Sequence, residues 1–263
     1  MSDYLEVIVL GMIQGISEFL PISSDGHLAI GQALFAQFSG KPLADPLELT
    51  IVLHAGTLAA VVVVFWREII RLFTQDRHII GLIIVGTIPV VVTGLLMKLF
   101  LDDYLASPML TGVMLIVTGM MLLWAGQQPR GTTTYQEISL KEATVIGLFQ
   151  SLAPLPGLSR SGCTISAGLW QGLRPDAAAT FSFLLSLPAV AGACLVEFAK
   201  MLKEGQSSTP AGHLIVGTIV SFLVGVFALR WLLAWLKAGR FQDFAWWCIP
   251  LGIGVIIWQL VAA

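Results

Sequence analysis

Apolar residues run in ten stretches along the chain, and polar segments separate each stretch from the next. Six of these stretches are long enough to cross the hydrocarbon layer of a bilayer, which takes about 20 residues of helix. Any other conformation would leave backbone groups without hydrogen-bond partners in lipid, so each long stretch is predicted to be a transmembrane helix. The predicted spans cover residues 49–66, 79–97, 109–126, 179–196, 214–236 and 244–262.

Four further apolar stretches are too short or too interrupted to cross, and they are interpreted as half-helices. They cover residues 5–20, 28–38, 143–155 and 163–173. The order short, short, long, long, long therefore occurs twice, which predicts an internal repeat over residues 1–126 and 140–263. A shift of 136 residues supports this repeat, because it superposes identical residues around the short stretches. The superposed pairs are Gly11 and Gly147, Gln14 and Gln150, Ser23 and Ser159, and Gly26 and Gly162.

Each short pair is predicted to be re-entrant, so that it enters the membrane and leaves on the same side. Helices lying on the membrane surface and ordinary bent spans are the alternatives. Three full spans then deliver the second half to the opposite face, which makes the repeats inverted. The predicted fold is an all-α integral membrane protein with a single domain over residues 1–263. It contains two inverted repeats, each with a re-entrant helix pair and three transmembrane helices.

Basic residues in the loops predict the orientation of this fold. Eight of them fall on one side of the predicted membrane, namely Arg67, Arg71, Arg77, Arg130, Lys141, Arg174, Lys237 and Arg240. Four fall on the other side, namely Lys41, Lys98, Lys200 and Lys203. By the positive-inside rule, the side with eight basic residues is cytoplasmic, and both termini are expected on the periplasmic side.

The composition agrees with a membrane protein and excludes several other classes. Of 263 residues, 56% are hydrophobic and 11% are charged, whereas roughly 25% are charged in soluble domains. A formal net charge of -2 offers no basic surface, so nucleic acid is not an expected partner. The three cysteines are far apart in sequence and predict neither a zinc site nor a disulfide framework. Asp3 and Glu6 lie where a cleaved signal peptide would be basic, which argues against such a peptide.

The break between the first two short stretches is unusually polar for a segment in a membrane. Gln14 and Glu18 are four residues apart, so on a helix their oxygens project from one face and can share a divalent cation. A hydrogen bond from Gln14 to a neighbouring helix is the alternative. Glu18 is costly in lipid unless it faces a cavity, pairs with a cation or is protonated, and it therefore indicates a site. Pro21 is expected to end the helix, with a polar turn over residues 23–27 and a second half-helix from Leu28.

Two histidines lie near or within the predicted helices of the first half, and their expected roles differ. His27 lies beside Ser23, Ser24 and a carboxylate, which favours a general acid or base over a core histidine. His54 lies within the first full span, where it can face the site, although a lone histidine there is more often structural.

The equivalent break in the second half combines an arginine with hydroxyl groups at the start of a half-helix. Its residues are Ser159, Arg160, Ser161, Gly162 and Thr164. Free backbone N–H groups at a helix start attract an anion, hydroxyls donate, glycine permits close approach, and guanidinium binds phosphate bidentately. This break is therefore predicted to bind phosphate. An ion pair between Arg160 and Glu18 is the alternative, and both arrangements can hold when no anion is bound.

Together, the two breaks predict metal-assisted phosphoryl chemistry inside a membrane protein. A secondary transporter or flippase for a polyprenyl phosphate lipid is the rival prediction, because inverted repeats with broken helices are also transporter architecture. A carrier needs an anion site but has little use for Glu18, Ser24 and His27 together. A purely structural membrane subunit is disfavoured by the cost of the buried polar cluster.

These residues also match a known family, since the chain resembles the bacterial undecaprenyl-diphosphate phosphatases, or bacitracin-resistance protein family, over essentially its whole length. One shared motif is (Glu/Gln)-x-x-x-Glu at residues 14–18, which leads into Pro-Ile-Ser-Ser-Asp-Gly-His at 21–27. The other is Pro-Gly-x-Ser-Arg-Ser-x-x-Thr at residues 156–164. A superficial similarity to the type-2 phosphatidic acid phosphatases fails, because Ser166 occupies the place of that family's second histidine.

The resemblance implies removal of the terminal phosphate from undecaprenyl diphosphate, or from other polyprenyl diphosphates, to give the lipid carrier of peptidoglycan synthesis. It implies a divalent cation, Mg2+ or Ca2+, at Gln14 and Glu18, although Gln14 leaves a single carboxylate there. Arg160 is then the diphosphate clamp, and Ser24 and His27 are the catalytic neighbours. Further phosphate contacts are expected from Ser23, Ser159, Ser161, Gly162 and Thr164.

Two reaction routes are open on this sequence. Either Ser24 attacks phosphorus with His27 as base, or His27 activates a water while Ser24 positions the phosphate. The implied location is the bacterial inner membrane, with the site open to the periplasm. Whether the protein also forms a homodimer is left open.

Overall fold

A computed structural model describes residues 2–39, 46–100, 107–204 and 209–262 of the chain. The described residues form eleven α-helices and two 3-10 helices, with an isolated parallel bridge between Thr133 and Leu173 in place of any strand. The α-helices are α1 (Ser2–Ser17), α2 (Ser24–Ser39), α3 (Pro46–Val64), α4 (Trp66–Thr74), α5 (Arg77–Phe100), α6 (Pro108–Gly126), α7 (Leu140–Gln150), α8 (Arg160–Trp170), α9 (Pro175–Glu204), α10 (Ala211–Lys237) and α11 (Ala245–Ala262). The 3-10 helices are Tyr135–Glu137 and Phe241–Phe244. The all-α prediction is confirmed for this part of the chain.

Five helices of the described chain are long and apolar enough to cross a membrane, namely α5, α6, α9, α10 and α11 with the 3-10 turn before it. Helices α3 and α4 provide a sixth span when they are taken together, although a bend of 69° separates them. The multi-span prediction is therefore confirmed. The predicted short stretches overlap α1 and α2, of 16 residues each, and α7 and α8, of 11 residues each. These lengths correspond to about 24 Å and about 16 Å, against a hydrocarbon core about 30 Å thick. Helix α1 already ends at Ser17, so the prediction that Pro21 ends it is wrong.

The surface is apolar and part of the interior is polar, as a lipid environment favours. Large side chains such as Phe227 and Trp246 are 78% and 77% exposed, whereas Gln14 and Gln150 are fully buried. Large apolar side chains can face lipid without cost, whereas buried amide side chains can find hydrogen-bond partners only inside the helix bundle. Polar groups buried at the centre of the bundle therefore indicate the position of a functional site.

Helix contacts follow a regular scheme. Helix α1 packs against α10, α7 packs against α5, α3 packs against α10, and α6 packs against α11. Small residues permit the closest of these approaches. A Cβ atom at Gly147 of α7 would lie 2.6 Å from the carbonyl oxygen of Gly86 in α5. Any larger residue at position 147 would push these two helices apart.

The start of α2 differs from the sequence prediction. Residues 24–27 do not form a turn but the first turn of α2, so the predicted helix start at Leu28 is wrong. Asp25 in this turn places a negative charge at the positive end of the helix dipole, which favours the earlier start. Ser23 precedes the helix with a φ of 70°, a left-handed conformation that is uncommon for a residue with a side chain. The chain therefore turns from α1 into α2 within residues 18–23.

Loops at one end of the molecule are joined by polar contacts. The Tyr135 hydroxyl donates to Asp76 Oδ2 at 2.8 Å, and Arg71 Nε lies 3.1 Å from the same oxygen. Burial and the neighbouring Asp76 carboxylate raise the pKa of Tyr135 to about 12. The orientation prediction assigns four lysines to the opposite side of the membrane. These lie outside the described residues, either entirely, as for Lys41, or in their side chains, as for Lys98, Lys200 and Lys203.

Candidate active site

The two breaks between short helices meet at an ion pair. Glu18 follows the last residue of α1, and its backbone N–H still donates to the Gln14 carbonyl at 2.9 Å. Arg160 is the first residue of α8, which Ser159 caps by accepting the Gly162 N–H at 3.1 Å. Arg160 Nη2 lies 2.7 Å from Glu18 Oε1, and the Glu18 side chain is buried while that of Arg160 is partly buried. The structure thereby joins the carboxylate of the first break to the guanidinium of the second.

The other oxygen of Glu18 receives two further hydrogen bonds. Ser24 Oγ donates to Glu18 Oε2 at 2.8 Å, and Gln14 Nε2 donates to the same oxygen at 3.2 Å. His54 Nε2 lies 3.7 Å from Oε2. Charge-assisted hydrogen bonds of this kind stabilise an ionised carboxylate away from water. Glu18 is therefore the centre of the polar cluster.

A cavity of about 260 Å³ opens beside Glu18 and Arg160. Its polar wall includes Glu18, Ser23, Ser24, Asp25, Ser159 and Arg160, together with His54. Its apolar wall includes Ile51, Val90, Ala189, Val190 and Ala193. A pocket with a charged wall and an apolar wall suits a ligand that has an anionic head and a hydrocarbon tail.

Part of the predicted phosphate-binding segment faces away from this cavity. Ser161 Oγ lies 3.2 Å from Ser159 Oγ, and Thr164 Oγ1 lies 2.5 Å from Ser182 Oγ of α9 while it donates to the Arg160 carbonyl at 2.9 Å. Ser161, Gly162 and Thr164 are buried and do not line the cavity. The structure brings Ser159 and Arg160 to the cavity, and a phosphate contact by the other three stays a prediction.

The two histidines differ in their relation to the cavity. His27 does not line the cavity, because Trp247 of α11 donates its indole N–H to His27 Nε2 at 2.8 Å. His54 of α3 does line the cavity, next to Glu18. The catalytic role of His27 stays a prediction, and His54 becomes a candidate through its position.

Thr118 of α6 is a site residue that the sequence analysis missed. Its hydroxyl donates to the Gly157 carbonyl at 3.0 Å and accepts the Ser159 N–H at 3.1 Å. Gly157 has a φ of 88°, and a Cβ atom there would collide with the Thr111 carbonyl, so the turn before α8 requires glycine. The available sequence signal was a threonine within an apolar span. Thr118 fixes the segment that carries Ser159 and Arg160.

The chain is similar to one family of known proteins over nearly its whole length. The family model described as Bacitracin resistance protein BacA matches residues 7–254. The chain belongs to the BacA family. It is 44% identical to an undecaprenyl-diphosphatase of Rhodopirellula baltica over 99% of this chain and 100% of that protein. It is 41% identical to undecaprenyl-diphosphatase 4 of Bacillus thuringiensis strain Al Hakam over 98% of each chain. It is 40% identical to an undecaprenyl-diphosphatase of Halothermothrix orenii over 97% of this chain and 98% of that protein.

The donor set of this BacA-family chain fits a divalent cation held mainly by substrate. The described residues contain no cluster of three His, Cys, Asp or Glu side chains that would hold a metal alone. Glu18 supplies a carboxylate, and Gln14 Oε1 is buried without a hydrogen-bond partner in the described chain. Mg2+ is commonly held by one or two carboxylates, substrate phosphates and water. One carboxylate and one amide oxygen therefore match the kind of donor that Mg2+ accepts beside substrate phosphates.

Proposed function

We propose that this protein removes the terminal phosphate from undecaprenyl diphosphate, yielding undecaprenyl phosphate and inorganic phosphate. The observation that carries the proposal is the Glu18–Arg160 pair at the wall of a half-apolar cavity. Arg160 Nη1 is buried and makes no hydrogen bond within the described residues, so this nitrogen is free to donate to a phosphate oxygen. Family membership and the names of the relatives support the same substrate and reaction.

The two walls of the cavity suggest how the substrate lies. The diphosphate contacts Arg160, Ser159 and Ser23 on the polar wall, where the guanidinium offsets the negative charge of the transferred phosphoryl group. The prenyl tail leaves along the apolar wall, past Ile51 and Val190, towards the lipid. A long hydrocarbon chain therefore stays in an apolar environment while its head group reacts.

Ser24 acts as the nucleophile in the first of two proposed routes. Its hydroxyl already donates to Glu18 Oε2 at 2.8 Å, so the carboxylate can take the proton as Oγ bonds to phosphorus. The bond to the bridging oxygen then breaks, and undecaprenyl phosphate leaves with the proton that Glu18 held. A water then attacks the phosphoserine, which releases inorganic phosphate and returns a hydrogen to Ser24 Oγ. In the alternative route, a water attacks phosphorus directly and Ser24 donates a hydrogen bond to the phosphate. A phosphorylated Ser24 trapped by acid quenching supports the first route, whereas substantial turnover by Ser24→Ala supports the second.

A divalent cation, Mg2+ or Ca2+, is part of the proposal. Glu18 and Gln14 would hold it, and it would neutralise charge on the diphosphate when bound. In the described structure, the Gln14 amide N–H group donates to Glu18, so cation binding requires the amide to turn its oxygen towards the carboxylate.

Inverted repeats and two re-entrant pairs complete the proposed architecture. A 136-residue shift moves residues 77–100 of α5 onto 213–236, which lie within α10 (Ala211–Lys237). The same shift relates the α1–α10 contact to the α7–α5 contact. Within the first pair, Gly31 of α2 faces Leu10 and Ile13 of α1, as expected when α2 runs back along α1. These relations support the inverted arrangement.

Basic loops gathered at one end support an inner-membrane orientation with periplasmic termini and a site open to the periplasm. Thr133 contacts the turn that carries Arg174, and Arg71 shares Asp76 with Tyr135. The positive-inside rule makes this end cytoplasmic.

Phosphate release by the purified protein in detergent tests the activity. Wild type is expected to release phosphate from a polyprenyl diphosphate, a chelator is expected to suppress the release, and added Mg2+ or Ca2+ is expected to restore it. Arg160→Ala is expected to be inactive. Lipid transfer across proteoliposomes without phosphate release from well-folded wild type would overturn the enzyme proposal in favour of a flippase.

A further inference from the structure

The hydrogen bonds of His27 use both of its ring nitrogens. Nδ1 lies 2.8 Å from the Ser23 carbonyl oxygen, and since a carbonyl can only accept, Nδ1 carries the hydrogen. Nε2 lies 2.8 Å from Trp247 Nε1, and since an indole can only donate, Nε2 accepts. The ring is therefore a neutral tautomer with both nitrogens occupied, and neither of them faces the cavity.

His54 has one occupied nitrogen and one that faces the cavity. Nδ1 lies 2.8 Å from the Thr50 carbonyl oxygen, so Nδ1 again carries a hydrogen, and in the neutral ring Nε2 presents a lone pair. Nε2 lies 3.7 Å from Glu18 Oε2, which is longer than a hydrogen bond, and the side chain lines the cavity. A water beside these two atoms can donate one hydrogen to each of them.

We propose that His54 is the histidine of the reacting centre, where its Nε2 and Glu18 Oε2 together hold the water that attacks phosphorus. As the water oxygen bonds to phosphorus, its proton passes to His54 Nε2, and the bond from phosphorus to the bridging oxygen, or to Ser24 Oγ in a phosphoserine, breaks. This inference rests on the proposed hydrolase function and deepens it. Both routes described above need such a water, either to attack the diphosphate or to hydrolyse phosphoserine. The assignment therefore holds whichever route the enzyme follows. Because His54 contacts the attacking oxygen, it is a catalytic residue in this proposal.

His27 then acts as a positioning residue, and Trp247 supports it. The Ser23 carbonyl accepts from both the backbone N–H of His27, at 3.4 Å, and its Nδ1–H, at 2.8 Å. Ser23 itself has a left-handed conformation, which its neighbours must stabilise. The next residue, Ser24, is thereby directed at Glu18. The indole of Trp247 fixes the imidazole from the opposite half of the molecule.

Substitutions that mimic single ring nitrogens separate the two roles. Asparagine can replace the Nδ1–H donor of His27 without supplying a nitrogen at the Nε2 position. Glutamine can place an acceptor oxygen near the Nε2 position of His54, which leucine cannot. The variants are His27→Asn, His54→Gln and His54→Leu, with His78→Gln as the matched control because His78 contacts the Gln136 carbonyl away from the cavity.

Steady-state phosphate release from a polyprenyl diphosphate is measured for each variant, and thermal unfolding in detergent verifies folding. His54→Leu is expected to lower kcat at least about 100-fold, within the range for a lost proton-handling group, with KM changed less than about threefold. His54→Gln is expected to recover at least about a tenth of the wild-type kcat, because its oxygen can still accept from the water. His27→Asn is expected to lower kcat by less than about tenfold.

The proposal is overturned if His54→Leu keeps kcat within about tenfold of wild type, or if folded His27→Asn loses more activity than folded His54→Leu. If His54→Leu fails to fold, His54→Gln decides in its place, because equal activity of His54→Gln and His54→Asn would remove the need for an acceptor at Nε2. Failure of wild type to release phosphate would instead refute the hydrolase function, so the two failures are distinguishable.

Discussion

Arg160 Nη2 lies 2.7 Å from Glu18 Oε1, and this contact joins two residues that are 142 positions apart in the chain. The exposed fractions of the two side chains are 15% and 7%. Opposite charges in so apolar a protein compensate one another's loss of hydration, and removal of either leaves the other unpaired. The ion pair therefore joins the two breaks, and it also positions the Arg160 guanidinium beside the cavity.

Arg160→Ala is expected to impair both folding and activity. Loss of one partner of a buried pair costs about 3–5 kcal/mol of unfolding free energy. Loss of the charge that faces the transferred phosphate is expected to lower kcat at least about 100-fold. Arg160→Lys is expected to fall between wild type and Arg160→Ala, because lysine keeps the charge but lacks the planar fork. Thermal unfolding in detergent and phosphate release measure the two effects.

Arg240→Ala is the matched control for this substitution. Arg240 Nε lies 2.7 Å from Asp243 Oδ2, but this pair is exposed, and pairs of this kind contribute less than about 1 kcal/mol. Equal losses of stability in Arg160→Ala and Arg240→Ala would contradict the structural role assigned to the buried pair.

Thr118→Val is expected to loosen the turn before α8. Valine keeps the shape of threonine but removes the bonds to the Gly157 carbonyl and the Ser159 N–H. Both groups are then unsatisfied, at about 1–3 kcal/mol each, and Arg160 loses its fixed position. We expect a lower thermal midpoint and a kcat reduced by about tenfold or more, since misplacement by an ångström can cost about 100-fold.

Thr87→Val provides the comparison. The Thr87 hydroxyl donates only within its own helix, to the Ile83 carbonyl at 2.7 Å, so its loss should leave phosphate release near the wild-type rate. If Thr118→Val behaved like Thr87→Val in both measurements, the turn before α8 would not depend on Thr118.

The helices could be predicted because apolar runs in a chain with few charges leave little choice of structure. Glu18 and Arg160 could be predicted as site residues because a charged side chain within a membrane is costly unless it has a function. Thr118 and Trp247 could not, because each acts on a break from a helix of the other half, at residues 39 and 220 positions away. Such contacts depend on how distant helices pack, which local sequence does not encode.

The histidines illustrate the same limit. His27 is adjacent to the serines in sequence, but its ring is turned towards α11, whereas His54 reaches Glu18 from α3. Proximity along the chain favoured His27, whereas the histidine that lines the cavity is His54. The early start of α2 is a further case, since the polarity of residues 24–27 suggested a turn although they are compatible with a first helical turn.

Tyr135→Phe is expected to destabilise the loop end of the molecule without a direct effect on catalysis. The Tyr135 hydroxyl donates to the buried Asp76 carboxylate, and phenylalanine leaves that oxygen to Arg71 alone. The expected loss is about 1–3 kcal/mol, as for a hydrogen bond to a charged group. Phosphate release per folded molecule should stay near wild type, because neither Tyr135 nor Asp76 lines the cavity.

The pH dependence of this loss follows from the raised pKa of Tyr135. The folded-state pKa is about 12, above the ordinary value of 10.0, because burial and Asp76 disfavour the phenolate. The bond therefore contributes fully below about pH 10, and its contribution disappears as the pH rises through about 12. The stability difference between wild type and Tyr135→Phe should be constant from pH 6 to about pH 9. A difference that vanished within that interval would contradict the assignment.

Cys194 offers a chemical test of the cavity itself. Its side chain is partly exposed and lines the cavity, whereas Cys163 and Cys248 are fully buried. A small maleimide should therefore modify one thiol per chain in the native protein, and mass spectrometry should locate it at Cys194. The adduct occupies a cavity of about 260 Å³, so labelling should abolish phosphate release.

Substrate protection links this labelling to the proposed binding mode. The prenyl tail is expected to pass the wall that carries Val190 and Cys194, so a polyprenyl phosphate should slow the modification, whereas inorganic phosphate should slow it less. Cys194→Ser should retain activity in the presence of maleimide if the adduct at Cys194 is the cause of inhibition. Modification of Cys163 at a similar rate would mean that the buried core opens in detergent. Labelling of Cys194 without inhibition would show that the tail does not pass this wall.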